Sequence, residues 1–208
     1  MDQSLVKLWA GIGSEAYSED FRSHRPTTFV PFEERWPQPG FVGPRYLRSS
    51  RRILVVGQNL RARTMQRASG ADKELFRLIR NHSRLRTVEI IDMLFEMQRK
   101  FMQGIECKPA WRPITAARNH LCLRVDAIAY LNLIPLATFG DHIAPEFKEA
   151  FGRAIGKQLQ LLNPKKMIAY RKGAYDMFRE LGSFQWDVRY IEQRNYKDAP
   201  AVQAWLGS

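Results

Sequence analysis

A short, unbroken apolar run at Ile53-Leu54-Val55-Val56 ends at Gly57, and it constrains the fold more than any other part of the chain. Consecutive apolar residues rich in β-branched side chains are typical of a strand that is buried on both faces of a sheet. Such a strand needs helices above and below it, as in α/β proteins. The run therefore predicts an α/β fold with this strand inside the sheet.

The rest of the chain alternates between helical and strand patterns. Apolar residues recur at helical spacing over 72–82, 85–103, 112–122, 145–162, 173–181 and 198–206. Further strands are predicted at 127–133, 166–170 and 187–191. Alternation of this kind implies right-handed crossovers and a mostly parallel sheet with helices on both faces. We therefore predict a three-layer sandwich with a central, mostly parallel four-stranded sheet.

The length of 208 residues suits a single domain. Residues 1–50 are rich in proline and aromatic residues, and we expect an extended arm packed on an α/β domain of residues 51–208. The chain shows no apolar run long enough to span a bilayer and no secretory signal at its start. Its two cysteines cannot form a disulfide framework. These features favour an intracellular protein, cytoplasmic and nucleoid-associated, and we expect a monomer with no membrane partner.

Positive charge is concentrated in one part of the sequence. The chain carries 33 Lys+Arg against 21 Asp+Glu, a net charge of +12. Between Arg45 and Arg86, twelve basic residues, eleven of them arginine, face only Asp72 and Glu74. One interpretation is a basic surface that only aids solubility, but such surfaces rarely concentrate one sign of charge so locally. The better interpretation is a partner with many phosphates, that is, nucleic acid.

Polar residues follow two of the predicted strands at their carboxyl ends, where α/β sheets bind ligands. Gly57-Gln58-Asn59 follows the first strand, and Asn132 lies near the end of the apolar run AIAYLNLIPL. A carboxamide offers both a donor and an acceptor to a base. Gln58 and Asn59 are equally suited to satisfying a turn. Asn132 also has a structural interpretation, in which its amide ties two strand ends together.

These segments resemble the uracil-DNA glycosylase superfamily. RILVVGQN is similar to the first motif of that family. AYLNLIPL is similar to a segment of the family's single-strand-selective branch, and an Asn in that segment recognises uracil. KMIAYRKGAYDMF resembles the third strand and the helix after it, and VRYIEQRNY falls where the closing loop belongs. The resemblance runs from about Phe41 to the C-terminus, with order and spacing kept.

The resemblance implies a role for each matching residue. Gly57 and Gln58 would line the base pocket, Asn59 would position the attacking water, and Asn132 would pair with a flipped base. His142, in the loop after Asn132, is a further candidate for contact with the base. The residues expected to contact DNA, single- or double-stranded, are Arg61, Arg63, Arg194, Asn195 and Tyr196. Such a hydrolase of the N-glycosidic bond in base-excision DNA repair needs no cofactor, and the spacing of His, Cys, Asp and Glu predicts no metal site.

The chain also departs from the family pattern. Leu60-Arg61 stands where the family has proline, and Tyr190-Ile191-Glu192-Gln193-Arg194-Asn195 replaces His-Pro-Ser-Pro-Arg-Asn. The histidine that stabilises the departing base is missing, and such a donor is worth about 10²–10³ in rate. Arg194 or Tyr196 is a possible substitute. A glycosylase and a non-catalytic nucleic-acid binder of the same fold therefore remain as alternatives, ahead of an unrelated nucleotide-binding enzyme.

Overall fold

The computed structural model describes residues 41–58, 60–61, 112–134, 137–138, 145–181, 186–192 and 196–208. The strands of this part are β1 (Phe41–Val42), β2 (Ile53–Gly57), β3 (Leu60–Arg61), β4 (Ile128–Asn132), β5 (Ala137–Thr138), β6 (Lys166–Tyr170) and β7 (Val188–Ile191). The α-helices are α1 (Arg112–Leu121), α2 (Pro145–Leu162), α3 (Lys172–Leu181) and α4 (Ala199–Gly207). Short 3₁₀ helices cover Tyr46–Arg48 and Val125–Ala127.

The main sheet of the described residues has five strands in the order β1-β4-β2-β6-β7. Strands β4, β2, β6 and β7 run parallel, whereas β1 pairs with β4 antiparallel, Phe41 opposite Tyr130. The predicted α/β class is confirmed, and the predicted count of four strands is corrected to five. The added strand, β1, has only two residues, which is too short to show a strand period in the sequence. A separate two-stranded sheet joins β3 and β5.

Most predicted elements after residue 111 agree with the structure to within one or two residues. The helix at 145–162 and the strand at 166–170 have the predicted bounds. The other predicted elements differ from the structure by one residue at one or both ends, which is within the usual uncertainty of element ends. The predicted helices at 72–82 and 85–103 lie outside the described residues.

The core is built on both faces of the sheet. Strand β2 is buried at every position, as its apolar run requires. On one face, Val55, Tyr130 and Ile168 form a cluster with apolar residues of α1 and α4. Because side chains alternate along a strand, Leu54 and Val56 point to the other face. There α3 contacts β6 and β7, and α2 packs on α3.

Gly43 holds the segment after β1 against the start of β4. Its amide donates to the carbonyl of Ile128 at 2.9 Å, and a β-carbon at this position would press on the carbonyl oxygens of Asp126 and Ile128. Because these are backbone atoms, they cannot yield without moving the strand. We expect Gly43→Ala to lower the free energy of unfolding by about 1–3 kcal/mol in urea denaturation. Gly207→Ala is the matched control, because a β-carbon there meets no atom within 4 Å; equal effects of the two changes would contradict the prediction.

Candidate functional site

The two polar motifs of the sequence meet at the carboxyl edge of the sheet. Asn132, the last residue of β4, is paired in register with Gly57, the last residue of β2. On the other side of β2, Val56 pairs with Ala169, so Tyr170 follows at the end of β6. The pairing continues beyond the strands, since the Leu133 amide donates to the Gly57 carbonyl at 2.9 Å. Asn132, Gly57 and Tyr170 therefore stand side by side on three adjacent strands.

The side chain of Asn132 is buried and only partly satisfied. Its exposed fraction is 4%, and its Oδ1 accepts a hydrogen bond of 2.5 Å from the hydroxyl of Tyr130. Its Nδ2 has no hydrogen-bond partner among the described residues. A buried donor without a partner costs about 1–3 kcal/mol. Asn132 thus carries an amide donor that its own surroundings leave free for another group.

Tyr130 fixes which end of this amide is free. The Tyr130 hydroxyl donates to Asn132 Oδ1, and burial raises the pKa of this phenol above its ordinary value, so it keeps the proton it donates at neutral pH. A hydroxyl that donates to Oδ1 holds the amide in one orientation, with Nδ2 as the free end. Tyr130 lies two residues before Asn132 on the same strand and therefore on the same face of the sheet.

Glycine at position 57 is required by these two side chains. A β-carbon there would lie 2.6 Å from Asn132 Oδ1 and 2.6 Å from the Tyr130 hydroxyl oxygen. Contacts this close essentially never occur for real β-carbons, so a side chain at position 57 would displace both groups. The glycine that the sequence marked at the end of β2 therefore makes room for the hydrogen bond between Tyr130 and Asn132.

A cluster of aromatic side chains extends the candidate site toward α1 and α4. The hydroxyl of Tyr170 lies 3.5 Å from that of Tyr196, and the ring of Tyr196 stacks on His120 with centroids 3.6 Å apart. Tyr196 has a left-handed backbone, with φ of 49°, and its amide donates to the carbonyl of Glu192 at 3.2 Å. Tyr196 thus packs against the apolar core beside these helices.

The remaining predicted site residues are described in part or not at all. The side chain of Gln58 approaches the first turn of α3, since its Oε1 lies 3.0 Å from where a β-carbon of Gly173 would be. The backbone of Arg61 belongs to β3, where it pairs with Thr138. The residues that lie outside the described part of the chain are Asn59, Arg63, His142, Arg194 and Asn195.

Sequence reasoning missed three residues of this edge: Tyr130, Tyr170 and Arg171. Arg171 directly follows β6 with a left-handed backbone, φ of 80°, and its amide donates to the Ile191 carbonyl at 2.9 Å. Its guanidinium lies 5.6 Å from the ring centre of Tyr170, and its buried Nε has no partner among the described residues. Strand alternation relative to Asn132 could have identified Tyr130, whereas no sequence signal marks the backbone of Arg171.

A cavity elsewhere is separate from this site. It has a volume of about 450 Å³, lies along the outer side of β7, and is lined by Tyr175, Arg189, Tyr190 and Val202 among others. Neither Gly57 nor Asn132 borders it. Its two tyrosine rings are tilted against each other, with centroids 5.5 Å apart. The carboxyl edge, with its unpaired buried amide, therefore remains the candidate site, and this cavity is a separate feature of the surface.

Comparison with known proteins assigns no family to the chain: a scan against family models finds no match, and a search of curated proteins finds no relative. Within the described ranges, no helix combines the length and apolar character needed to cross a membrane. The same part of the chain holds no group of three or more His, Cys, Asp and Glu side chains that could bind a metal ion.

Proposed function

We propose that this chain is a DNA base-excision glycosylase, a hydrolase that cleaves the bond between a flipped uracil or other damaged base and its sugar. The observation that carries the proposal is the buried Asn132 amide, held by Tyr130 through Oδ1 with Nδ2 unpaired beside Gly57. The four parallel strands of the main sheet support the glycosylase-like sandwich, with β1 added at one edge. The resemblance of the motifs at the same edge supports it independently.

The free donor defines which bases fit. At the ring position where uracil or hypoxanthine carries its O4 or O6 carbonyl, Nδ2 would meet an acceptor, whereas at the same position cytosine or adenine presents an amino group, which is a second donor. A base carbonyl that pairs with Nδ2 recovers the roughly 1–3 kcal/mol lost to the unpaired buried donor. Flipping the nucleotide costs a few kcal/mol, about the same size. Nδ2 therefore favours a flipped base with a carbonyl at that position over one with an amino group, and thymine and guanine, which carry the same carbonyl, have to be excluded by other contacts.

In the proposed reaction, water attacks the sugar carbon that carries the base, and the N-glycosidic bond breaks. The bonding electrons leave with the base, which departs as an anion and takes up a proton, and the sugar keeps the water oxygen as an abasic site. Asn59 would orient the water, as the resemblance implies. Gly57 would leave room for the hydrogen bond from Tyr130 that orients the Asn132 amide toward the base.

The departing base needs a positive or donating group, because the closing loop has no histidine. Arg171 supplies a cation at the end of β6, the strand next to Gly57, with Nε unpaired in the described part of the chain. A group aimed at developing negative charge is worth about 10²–10³ in rate. We assign this role to Arg171 in the proposed enzyme, in addition to the sequence candidates Arg194 and Tyr196.

A second candidate function is non-catalytic binding of damaged or single-stranded nucleic acid on the same fold. Two observations favour it. The closing loop lacks histidine, and Tyr196 is engaged with His120 and Tyr170 in the free protein. Tyr196 must leave His120 before it can fill the gap that a flipped nucleotide leaves in the DNA stack.

The test is cleavage of labelled oligonucleotides that contain uracil, hypoxanthine or a G:T mismatch, in single and double strands, with abasic product measured after alkali. We expect product from the wild type, and a loss of about 10- to 100-fold in Asn132→Ala, the rate equivalent of one hydrogen bond to a buried group. Tyr130→Phe frees Oδ1, so we expect weaker discrimination between uracil and cytosine. Tyr175→Phe is the matched control, because it removes a tyrosine hydroxyl outside the site.

The outcomes separate the two functions. Salt-sensitive binding that Asn132→Ala weakens, without abasic product on any substrate, would favour the binder. Abasic product that is unchanged in Asn132→Ala would place the active site elsewhere. Neither binding nor product would overturn both functions.

A further inference from the structure

Basic side chains gather at the amino edge of the main sheet, opposite the candidate site. Because β2, β4 and β6 are parallel, the residues just before them lie at one edge. Arg51, Arg124 and Lys165 come before these three strands, and Arg45 and Arg48 lie in the neighbouring turn and 3₁₀ helix. We call these five residues the amino-edge surface; all five are exposed.

The amino-edge surface is continuous across the three strands. The Arg45 amide donates to the Asp126 carbonyl at 2.8 Å, which joins the first turn to the start of β4. The Lys165 amide donates to the Arg52 carbonyl at 3.0 Å, which joins the starts of β6 and β2. Neighbouring strands lie about 4.8 Å apart, so the surface spans about 10 Å from β4 to β6. Phosphates of one strand of a DNA duplex advance about 3.4 Å per nucleotide along the helix axis, so the surface is long enough to contact more than one phosphate.

Most of this charge is not neutralised by the protein. Asp126 pairs with Arg124 at 2.9 Å and with Arg45 at 3.4 Å. The hydrogen bond from Arg124 lowers the pKa of the Asp126 carboxyl, which stays ionised at neutral pH. Within the residues that the structure describes, Arg48, Arg51 and Lys165 have no acidic partner. A net positive surface therefore remains after the internal ion pairs are counted.

We propose that the amino-edge surface binds the phosphodiester backbone of nucleic acid, as a second contact separate from the carboxyl-edge site. Arginine predominates there, and its planar fork fits two phosphate oxygens at once. A five-residue strand separates the two edges by about 15 Å, so one nucleotide cannot touch both. The second contact is independent of base identity and goes beyond the proposed glycosylase function. It does not depend on Asn132.

The experiment measures binding of a fluorescent, undamaged single-stranded oligonucleotide over a series of salt concentrations. The test variant is Arg48→Gln/Arg51→Gln, and the matched control is Lys157→Gln/Arg179→Gln, which removes the same charge from exposed positions on α2 and α3. Each lost phosphate contact lowers the slope of log K against log salt by about 0.7. We expect the test variant to lose about 1.4 in slope and the control to keep the wild-type slope.

A gain-of-function variant sharpens the test. Asp126→Asn releases Arg45 and Arg124 from their ion pairs, so we expect it to bind the oligonucleotide severalfold more tightly, with a steeper slope. Thermal unfolding of every variant shows whether the fold is kept. The proposed catalytic site is assayed separately through abasic product, so the amino-edge contact and that site can fail independently.

Three results would overturn the proposal. The first is an equal loss of affinity in the test variant and in the control. The second is an Asp126→Asn variant that keeps its fold and binds the oligonucleotide no more tightly than the wild type does. The third is equal competition by polyglutamate of the same charge, which would show a surface for acidic proteins instead of nucleic acid.

Discussion

Gly57→Ala is expected to remove the proposed activity and to lower the free energy of unfolding by about 2–4 kcal/mol. The new β-carbon would lie 2.6 Å from both Asn132 Oδ1 and the Tyr130 hydroxyl. The two groups must separate to make room, which breaks a buried hydrogen bond. The change therefore removes whatever Asn132 contributes and also disturbs the end of β2.

The effect of Gly57→Ala is measured by urea unfolding and by the cleavage assay. A double-mutant cycle with Tyr130→Phe tests its cause, because that change removes one of the two oxygen atoms that the β-carbon meets. We expect the double variant to be more stable than the sum of the single effects by about 1 kcal/mol. Additive effects would mean that the cost of Gly57→Ala arises elsewhere in the strand.

Asn132→Asp is expected to make stability strongly dependent on pH. The new carboxyl would have the 4% exposure of the native amide. Burial raises the pKa of a carboxyl, so its folded pKa would lie above its unfolded value, and the variant would be most stable below the unfolded pKa. As pH rises between the two pKa values, the unfolded state gives up its proton first and stability falls. We expect a loss of about 3–5 kcal/mol between about pH 4 and pH 8.

Urea unfolding at several pH values, with the wild type subtracted, measures this loss. The hydroxyl of Tyr130 donates to Oδ1 in the native protein and would donate to a carboxylate as well, which offsets part of the cost. Asn163→Asp is the control, because Asn163 is exposed and we expect nearly no change with pH there. A flat difference curve for Asn132→Asp would show that the amide site admits water.

The sequence predicted those parts of the fold that depend on local pattern. The apolar run of β2 and the helical spacing of α2 are repeated signals, and both elements formed within a residue of the predicted bounds. Strand β1 could not be predicted, because it exists only through its pairing with β4. A two-residue strand has no period of its own.

The candidate site, too, could be predicted from the sequence only in part. Gly57 and Asn132 were marked by their residue types at strand ends, and the parallel pairing of β2 with β4 brings them side by side. The hydrogen bond from Tyr130 depends on side-chain reach, which a pattern does not contain. The run of arginines in the sequence predicted a phosphate-binding surface. The pattern could not show that Arg45, Arg48 and Arg51 lie at the amino edge of the sheet, because that placement depends on the fold.

The outer side of β7 also bears on how this protein behaves in a crowded solution. In the described residues no strand pairs with this side, so β7 is an edge strand of the described sheet. Such edges are templates for aggregation, and natural proteins keep them short and charged. β7 has four residues, and its Arg189, with a side chain that is 59% exposed, places a positive charge in the middle of that edge. Two copies that pair along β7 would have to crowd two Arg189 side chains, each with Asp187 at 4.0 Å, against one another, so this short, charged strand is a poor template for growth of the sheet.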